Sequence, residues 1–277
     1  ARVAKKLRIP VVDYFPPTAW IWGKWRAKWM ARYNAKIAAT LPMEKKIYEK
    51  SGADVEFVGH PLVDMVDTEK TEKEIFNNFE LDSDKKVISL MPGSRQSEVE
   101  RLLPVLLNVA EKLQKENSNY QFVIPLAPGI SKDYIAEKVA DYKLILKIVE
   151  DAPYEVMKIA DLIITSSGTA TLEALIMETP MIAMYKTDWS TYHFGKRLMN
   201  VNYIAMPNII ANKEIIPEFV QGQVTTNRIY EEAEYLLKRD YVLDDRSKKL
   251  SRLKDKLVEK GAVKRTAELV LREGGLN

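Results

Sequence analysis

The sequence predicts a doubly wound α/β protein that ends in a helical tail. Three observations lead to this. Short apolar, β-rich runs alternate with helix-period segments through most of the chain. Most of these runs are uninterrupted rather than alternating, as strands buried on both faces of a parallel sheet must be. From about Thr226 onward the pattern is purely helical, rich in Lys, Glu and Leu.

In chain order, the expected strands are Pro10–Phe15, Lys36–Thr40 and Val55–Val58, followed after a break by Lys86–Met91, Gln121–Leu126, Leu144–Ile148, Leu162–Thr165 and Met181–Tyr185. Helical patterns lie between them. In Val99–Glu116 the residues Leu102, Leu103, Leu106, Val109 and Leu113 make one stripe. The best boundary comes just after Gly59-His60-Pro61, because Asp67–Phe79 is polar and a fresh strand-helix series begins at Lys86. The layout is thus two Rossmann-like units, the first incomplete. Residues 1–61 are the end of the first, 62–225 form a complete second, and 226–277 are helices that pack back or exchange between subunits.

Composition sets the outer limits. The chain has 277 residues, 46% hydrophobic and 29% charged, enough for one large or two medium cores. It has no cysteine, so disulfides and thiolate zinc sites are excluded, which suits the cytoplasm. No apolar run approaches the roughly 20 residues that span a bilayer, and no signal peptide is visible. The opening Ala1-Arg2-Val3-Ala4-Lys5-Lys6-Leu7 reads as the tail of a helix, so the chain is expected to be a piece of a longer one. The net charge of +3 is unevenly spread: residues 1–50 hold twelve Lys/Arg against Asp13, Glu44 and Glu49. A basic N-terminal region favours an anionic partner, whether membrane headgroup, phosphorylated substrate or nucleic acid.

Two strand-to-helix turns suit phosphate, since ligands of open parallel sheets bind at the carboxyl ends of strands. In Met91-Pro92-Gly93-Ser94-Arg95, Gly93 permits a tight turn and Arg95 can set a guanidinium against a diphosphate. Ser97 with Glu100 is the expected capping box of the next helix. A plain loop with a solvated Arg explains this turn equally well. The second turn, Ser166-Ser167-Gly168-Thr169-Ala170, is more telling. Its small residues let a ligand approach the backbone, and the helix it opens offers free N–H groups and a partial positive charge. Glu173, one turn in, can accept hydrogen bonds from both hydroxyls of a ribose. A capped helix without ligand would account for Ser167 and Thr169 but not for the cluster of small residues. Neither turn is a Walker loop or a Gly-x-Gly-x-x-Gly fingerprint.

Four of the five tryptophans, Trp20, Trp22, Trp25 and Trp29, fall within ten residues. Trp22, Trp25 and Trp29 share a helical face, and Lys24, Arg26, Lys28 and Arg32 lie between and beyond them. Such a segment fits a bilayer interface, a pocket for an acylated, phosphorylated sugar, or a core with the cations in water. His60 reads equally as a turn residue or a substrate contact, and His193 as structural. Neither has a second ligand at metal-binding spacing, so no metal is expected.

The ordered series Gly59-His60-Pro61-Leu62, Pro92-Gly93-Ser94-Arg95, Ser167-Gly168-Thr169-Ala170-Thr171-Leu172-Glu173, Met206-Pro207-Asn208-Ile209-Ile210-Ala211 and Pro217-Glu218-Phe219-Val220-Gln221 resembles the lipid-A-disaccharide synthases. Phe15-Pro16-Pro17-Thr18-Ala19-Trp20-Ile21-Trp22 resembles that family's Pro-Ser-x-Trp-Ala-Trp segment. The resemblance implies a GT-B-like fold and an inverting transfer from UDP-2,3-diacylglucosamine to 2,3-diacylglucosamine 1-phosphate, with no cofactor, metal or nucleic acid. It implies donor binding by Arg95, Ser167, Gly168, Thr169, Glu173 and Asn208, with Arg197, Glu218 and Gln221 as further candidates. Gly93, Ser94 and Ala170 belong to the same two loops. Acceptor or membrane contact falls to Trp20, Trp22, Lys24, Trp25, Arg26 and Trp29. The implied setting is peripheral, on the cytoplasmic side of the inner membrane of a Gram-negative-type bacterium, with a homodimer among the expected states. The family's Ser-Ala-Gly-Glu-x-Ser-Gly-Asp and Asp-x-Pro-Asp-Phe segments have no counterpart here, and Asp13 is not a position the family marks. No catalytic base is therefore assigned, and these residues alone are expected to turn over weakly or not at all. Alternatives are a UDP-N-acetylglucosamine 2-epimerase, a peptidoglycan glycosyltransferase, or a non-catalytic fragment binding UDP or membrane.

Overall fold

The computed structural model describes residues 2–19, 21, 23–33, 36–189, 192, 196–197, 201–257 and 259–276. Trp20, Trp22 and His193 lie outside the described residues. The chain divides into two compact units, one of residues 1–65, 189–202 and 253–277, the other of 66–188 and 203–252.

The first unit opens with a short helix, α1 (Arg2–Lys6), and holds a parallel sheet ordered β1 (Val12–Tyr14), β2 (Lys36–Ala39), β3 (Val55–Phe57). Parallel strands need crossover connections, and α2 (Trp25–Tyr33) and α3 (Pro42–Lys50) supply them. Ala27 and Met30 of α2 pack with Ile37 of β2 and Tyr48 of α3, all buried. A second cluster joins Ala38 and Val58 to Leu269 of the last helix, α13 (Ala262–Glu273). The N-terminus of α13 has no side-chain cap of its own. Asp64 of α4 (Leu62–Met65) provides one from afar, accepting the Gly261 N–H at 2.5 Å and the Val263 N–H at 3.0 Å. Burial pushes the Asp64 carboxyl up, but N–H groups of Val263, Gly261 and Ala262, with Arg265, outweigh it and hold it below its ordinary value. Asp64→Ala should therefore cost about 0.5–2 kcal/mol near neutrality, the usual worth of a helix cap. Because the folded value is the lower one, the cap contributes fully above the unfolded carboxyl value of about 3.9 and is lost as pH falls through the folded value. Urea melts at pH 7 and pH 3 check this: the gap between the two proteins should narrow only in acid.

The second unit is a six-stranded, wholly parallel sheet ordered β6-β5-β4-β7-β8-β9. Its strands are β4 (Lys86–Met91), β5 (Tyr120–Pro125), β6 (Leu146–Val149), β7 (Leu162–Ser166), β8 (Met181–Tyr185) and β9 (Glu218–Val220). On one face α6 (Gln96–Glu116) and α11 (Thr226–Leu237) bury Leu102, Leu106, Leu113, Ile229 and Leu236 against Ile88, Leu90 and Ile164. Ile135 of α7 (Lys132–Val139) and Val242 and Leu243 of α12 (Asp240–Lys254) join the same cluster. On the other face, α5 (Glu72–Asn78) and α8 (Pro153–Ile159) bury Ile75, Val156 and Ile159 against Val87 and Val123. The strand pattern thus matches β4 and β8 to the residue and the other expected strands to within about two residues at each end. β9 escapes it: three residues opening on Glu218 are too short and too polar to read as a buried strand.

The strand order also locates a crevice. Strands β4, β5 and β6 run outward in one direction, and β7, β8 and β9 run outward in the other. The adjacent pair β4 and β7 is therefore the point where the winding reverses. Helices leaving these two strands go to opposite faces and open a crevice between their first turns.

Candidate functional site

Both phosphate-type turns sit at this reversal, one leaving β4 and the other leaving β7. In the first, Gly93 has φ +127°, and Glu98 reaches back beneath the loop. Its carboxylate accepts the Ser94 N–H at 3.1 Å and the Arg95 N–H at 3.4 Å, and its other oxygen accepts from the Arg95 guanidinium at 2.7 Å. Helix α6 begins at Gln96, so the expected capping box of Ser97 and Glu100 is corrected to the turn Arg95–Glu98. Glu100 instead accepts from the Gln96 side-chain amide at 3.1 Å. The Arg95 side chain is 77% exposed, so little holds it against turning to an anion.

In the second turn, Ser167 N–H donates to the Met184 carbonyl of β8 at 2.6 Å, which fixes the loop to the sheet. Gly168 is the residue before α9 (Thr169–Ile176), and as the N-cap it brings no side chain to cap that helix. The first-turn N–H groups of Thr169 and Ala170 have no carbonyl within the helix to receive them. Among the described residues, the buried Ser167 hydroxyl has no hydrogen-bond partner. A merely capped helix is therefore not what these residues build. They leave a hydroxyl, two amides and the positive end of a helix dipole unspent at one spot.

The two loops line one cavity of about 430 Å³, with Gly93, Ser94, Arg95 and Glu98 on one side and Ser166, Ser167, Gly168, Thr169, Ala170 and Glu173 on the other. The volume is within the range of small-molecule sites. Residues that sequence reasoning missed complete it: Leu126, Ala127 and Pro128 after β5, and Pro153, Tyr154 and Met157 of α8. The signal was present, since loops after β5 and β6 must reach the same edge of a parallel sheet. Tyr154 Oη donates to Glu173 Oε1 at 3.4 Å. Burial raises the Glu173 carboxyl above its ordinary value, and the Tyr154 bond opposes that shift. Burial, and then the neighbouring carboxylate, raise the Tyr154 phenol as well.

Three predicted donor residues are not among those that line this cavity. Asn208, in α10 (Met206–Ala211), is fully buried. Its amide accepts the Ile215 and Ile216 N–H groups and donates to the Ile216 carbonyl. Glu218 accepts the N–H groups of Ile204 and Ala205 at 2.8 and 2.7 Å. Gln221 pairs with both backbone groups of Thr187. The chain they shape meets α9 where Met206 N–H donates to Thr171 Oγ1 at 3.2 Å. Arg197 is exposed and falls in the segment grouped with the first unit.

In the first unit, α2 buries Ala27 and Met30 and turns Trp25 and Trp29 to solvent, 70% and 49% exposed. Lys28 and Arg32 complete that face at i, i+3, i+4 and i+7, and Lys24 is exposed just before it; Arg26 is half-buried. The reading of these two tryptophans as core residues is thereby corrected: the buried stripe of the helix is taken by smaller residues. His60 is half-buried, with Nδ1 accepting the Leu62 N–H at 3.2 Å and its ring edge-on to Phe15. Burial lowers its basicity.

Two α/β units with wholly parallel sheets, and a cavity at the strand reversal of the six-stranded one, place the chain in the GT-B fold class. Solved structures agree on the fold. A UDP-GlcNAc 2-epimerase from Neisseria meningitidis bound to UDP-GlcNAc superposes with TM-score 0.65 at 14% identity, covering 98% of this chain and 72% of that one. The family described as lipid-A-disaccharide synthetase matches residues 1–271, and the chain belongs to it. Lipid-A-disaccharide synthase of Geobacter metallireducens is 37% identical over 271 residues, 98% of this chain and 71% of that protein. The enzyme of Persephonella marina is 37% identical over 274 residues, 96% and 72% respectively.

Proposed function

We propose that this chain supplies the donor site of a transferase that joins UDP-2,3-diacylglucosamine to 2,3-diacylglucosamine 1-phosphate, giving the lipid A disaccharide and UDP. The observation that carries the reading is the single cavity shared by the loops around Arg95 and Gly168. In it the pyrophosphate lies over the start of α9, held by the Ser167 hydroxyl and the backbone N–H groups of residues 168–170. Arg95 leaves Glu98 to meet the charge, and Glu173 takes the ribose hydroxyls. Fixed donors at the leaving diphosphate stabilise the charge that develops there as the sugar departs. Asn208, Glu218 and Gln221 act by setting the chain that packs on α9. The transfer proceeds with inversion: the acceptor's 6-hydroxyl attacks the anomeric carbon opposite UDP and gives its proton to a base. None of these residues is assigned as that base.

The test is UDP release from UDP-2,3-diacylglucosamine with and without the acylated acceptor. Acceptor-dependent release supports the transferase, even at a low rate. Conversion of UDP-N-acetylglucosamine to its 2-epimer would instead support an epimerase. Arg95→Ala should weaken UDP binding by about 1.5–3 kcal/mol, the worth of a charge-assisted hydrogen bond, and calorimetry that finds no change removes Arg95 from the site.

Peripheral membrane attachment through α2 belongs to the same proposal. Rings at headgroup depth with cations between them suit an anionic bilayer. No helix among the described residues is long and apolar enough to cross a membrane. Sedimentation with anionic and with neutral vesicles separates this from a surface that stays in water. A homodimer is proposed from α13, which leaves Val263, Val270 and Leu271 about half exposed on its outer side.

A further inference from the structure

We propose that Tyr154 is a positioning residue for the donor, its hydroxyl turning the Glu173 carboxylate into the cavity so that one carboxylate receives both ribose hydroxyls. This role presupposes the donor site proposed for the cavity. Tyr154 and Glu173 come from different elements, α8 and α9, and both line the cavity. Among the described residues, the side-chain hydrogen bond that either makes is the one between them, at 3.4 Å. A bond of that length has room to shorten when ligand hydroxyls draw the carboxylate inward.

The surroundings leave the pair to itself. Of the elements packed against α9, neither β7 nor α10 carries a titratable side chain, and β8 carries only Tyr185 at its end. The other charged groups of the cavity, Arg95 and Glu98, are paired with each other. On α8, Glu155 faces Lys70 at 3.3 Å and Lys158 donates to the Lys70 carbonyl at 2.6 Å. Tyr154 is thus the one neighbour, among the described residues, that stabilises the charged form of a carboxylate which burial disfavours. Removing the hydroxyl should let that carboxyl rise further, and a protonated Glu173 no longer offers two charged oxygens, one to each ribose hydroxyl.

The experiment is calorimetry of UDP and of 2′,3′-dideoxy-UDP with the wild type and Tyr154→Phe, across pH 5 to 8. The phenylalanine keeps the ring and its packing. It should weaken UDP about 3–10-fold while leaving the dideoxy ligand within about twofold, because only the ribose contacts are lost. The acid limb of UDP binding should move to higher pH. Glu173→Gln should lose the same discrimination and keep only the acid limb that the ligand's own phosphate gives, which the dideoxy ligand shows equally. Equal weakening of both ligands, or no weakening of either, overturns the role of Tyr154 while leaving the donor site standing. Failure of the wild type to bind UDP at all overturns the donor-site reading and this inference with it.

Discussion

Gly168→Ala should melt as the wild type does and bind UDP about 30- to 1000-fold more weakly. The two halves of that result have separate causes. Gly168 has φ 176°, extended backbone open to any residue, and a Cβ built there meets nothing within 4 Å. Nothing in the fold demands glycine at this position. Alanine should cost no stability and would, if anything, add a few tenths of a kcal/mol by restricting the unfolded chain. Gly168 lines the cavity directly before the first-turn amides of α9, and a methyl group there is expected to project into the open space. A pyrophosphate drawn onto those amides must come to within about 3 Å of the backbone, where the methyl already stands. Pushing it back should cost about 2–4 kcal/mol, combining steric crowding with weakened charge-assisted bonds. Paired thermal melts and UDP titrations read this out. Unchanged affinity would mean that no phosphate approaches the loop, whatever else the cavity holds.

What can be read from sequence depends on whether a signal is local. Parallel strands buried on both faces announce themselves by composition, so β4 and β8 are bounded correctly from residues alone. Gly93, Ser167 and Gly168 are legible because strand-exit turns are built from neighbouring residues. The adjacency of β4 and β7 is not local, and only the sheet order shows that two loops some seventy residues apart line one cavity. Tyr154 is hidden for the same reason, since its partner Glu173 is nineteen residues away on another helix. Asn208 and Glu218 show the opposite limit. A motif marks them, yet it does not show what sheet order and loop packing show: Asn208 is fully enclosed, and both side chains are bound to backbone that they hold in place. The cap at Glu98 is displaced by two residues from the expected one because Ser97 and Glu100 have the right spacing, while a loop with Gly93 at positive φ brings the backbone over Glu98 instead.

Gly93→Ala should have the converse signature, losing both stability and ligand. With φ at +127°, Gly93 lies where an L side chain is strained by about 1–3 kcal/mol. A Cβ there would stand 2.5 Å from a Glu98 carboxylate oxygen and 2.7 Å from Glu98 Cβ. The oxygen is the end of a side chain and can swing away. The Cβ is fixed to α6 and cannot, so the loop itself must move. When it does, the bonds from the Ser94 and Arg95 N–H groups to Glu98 are lost, at about 0.5–1.5 kcal/mol each. The summed loss of stability should be about 2–6 kcal/mol. UDP binding should fall at least as far as in Arg95→Ala, because Arg95 leaves with the loop. Glu98→Ala on this background should recover little, since the Cβ that collides remains. Full recovery by that second change would assign the clash to the carboxylate alone and show the loop to be free of strain. Retention of the wild-type melting temperature by Gly93→Ala would go further and remove Glu98 as the support on which Arg95 is aimed.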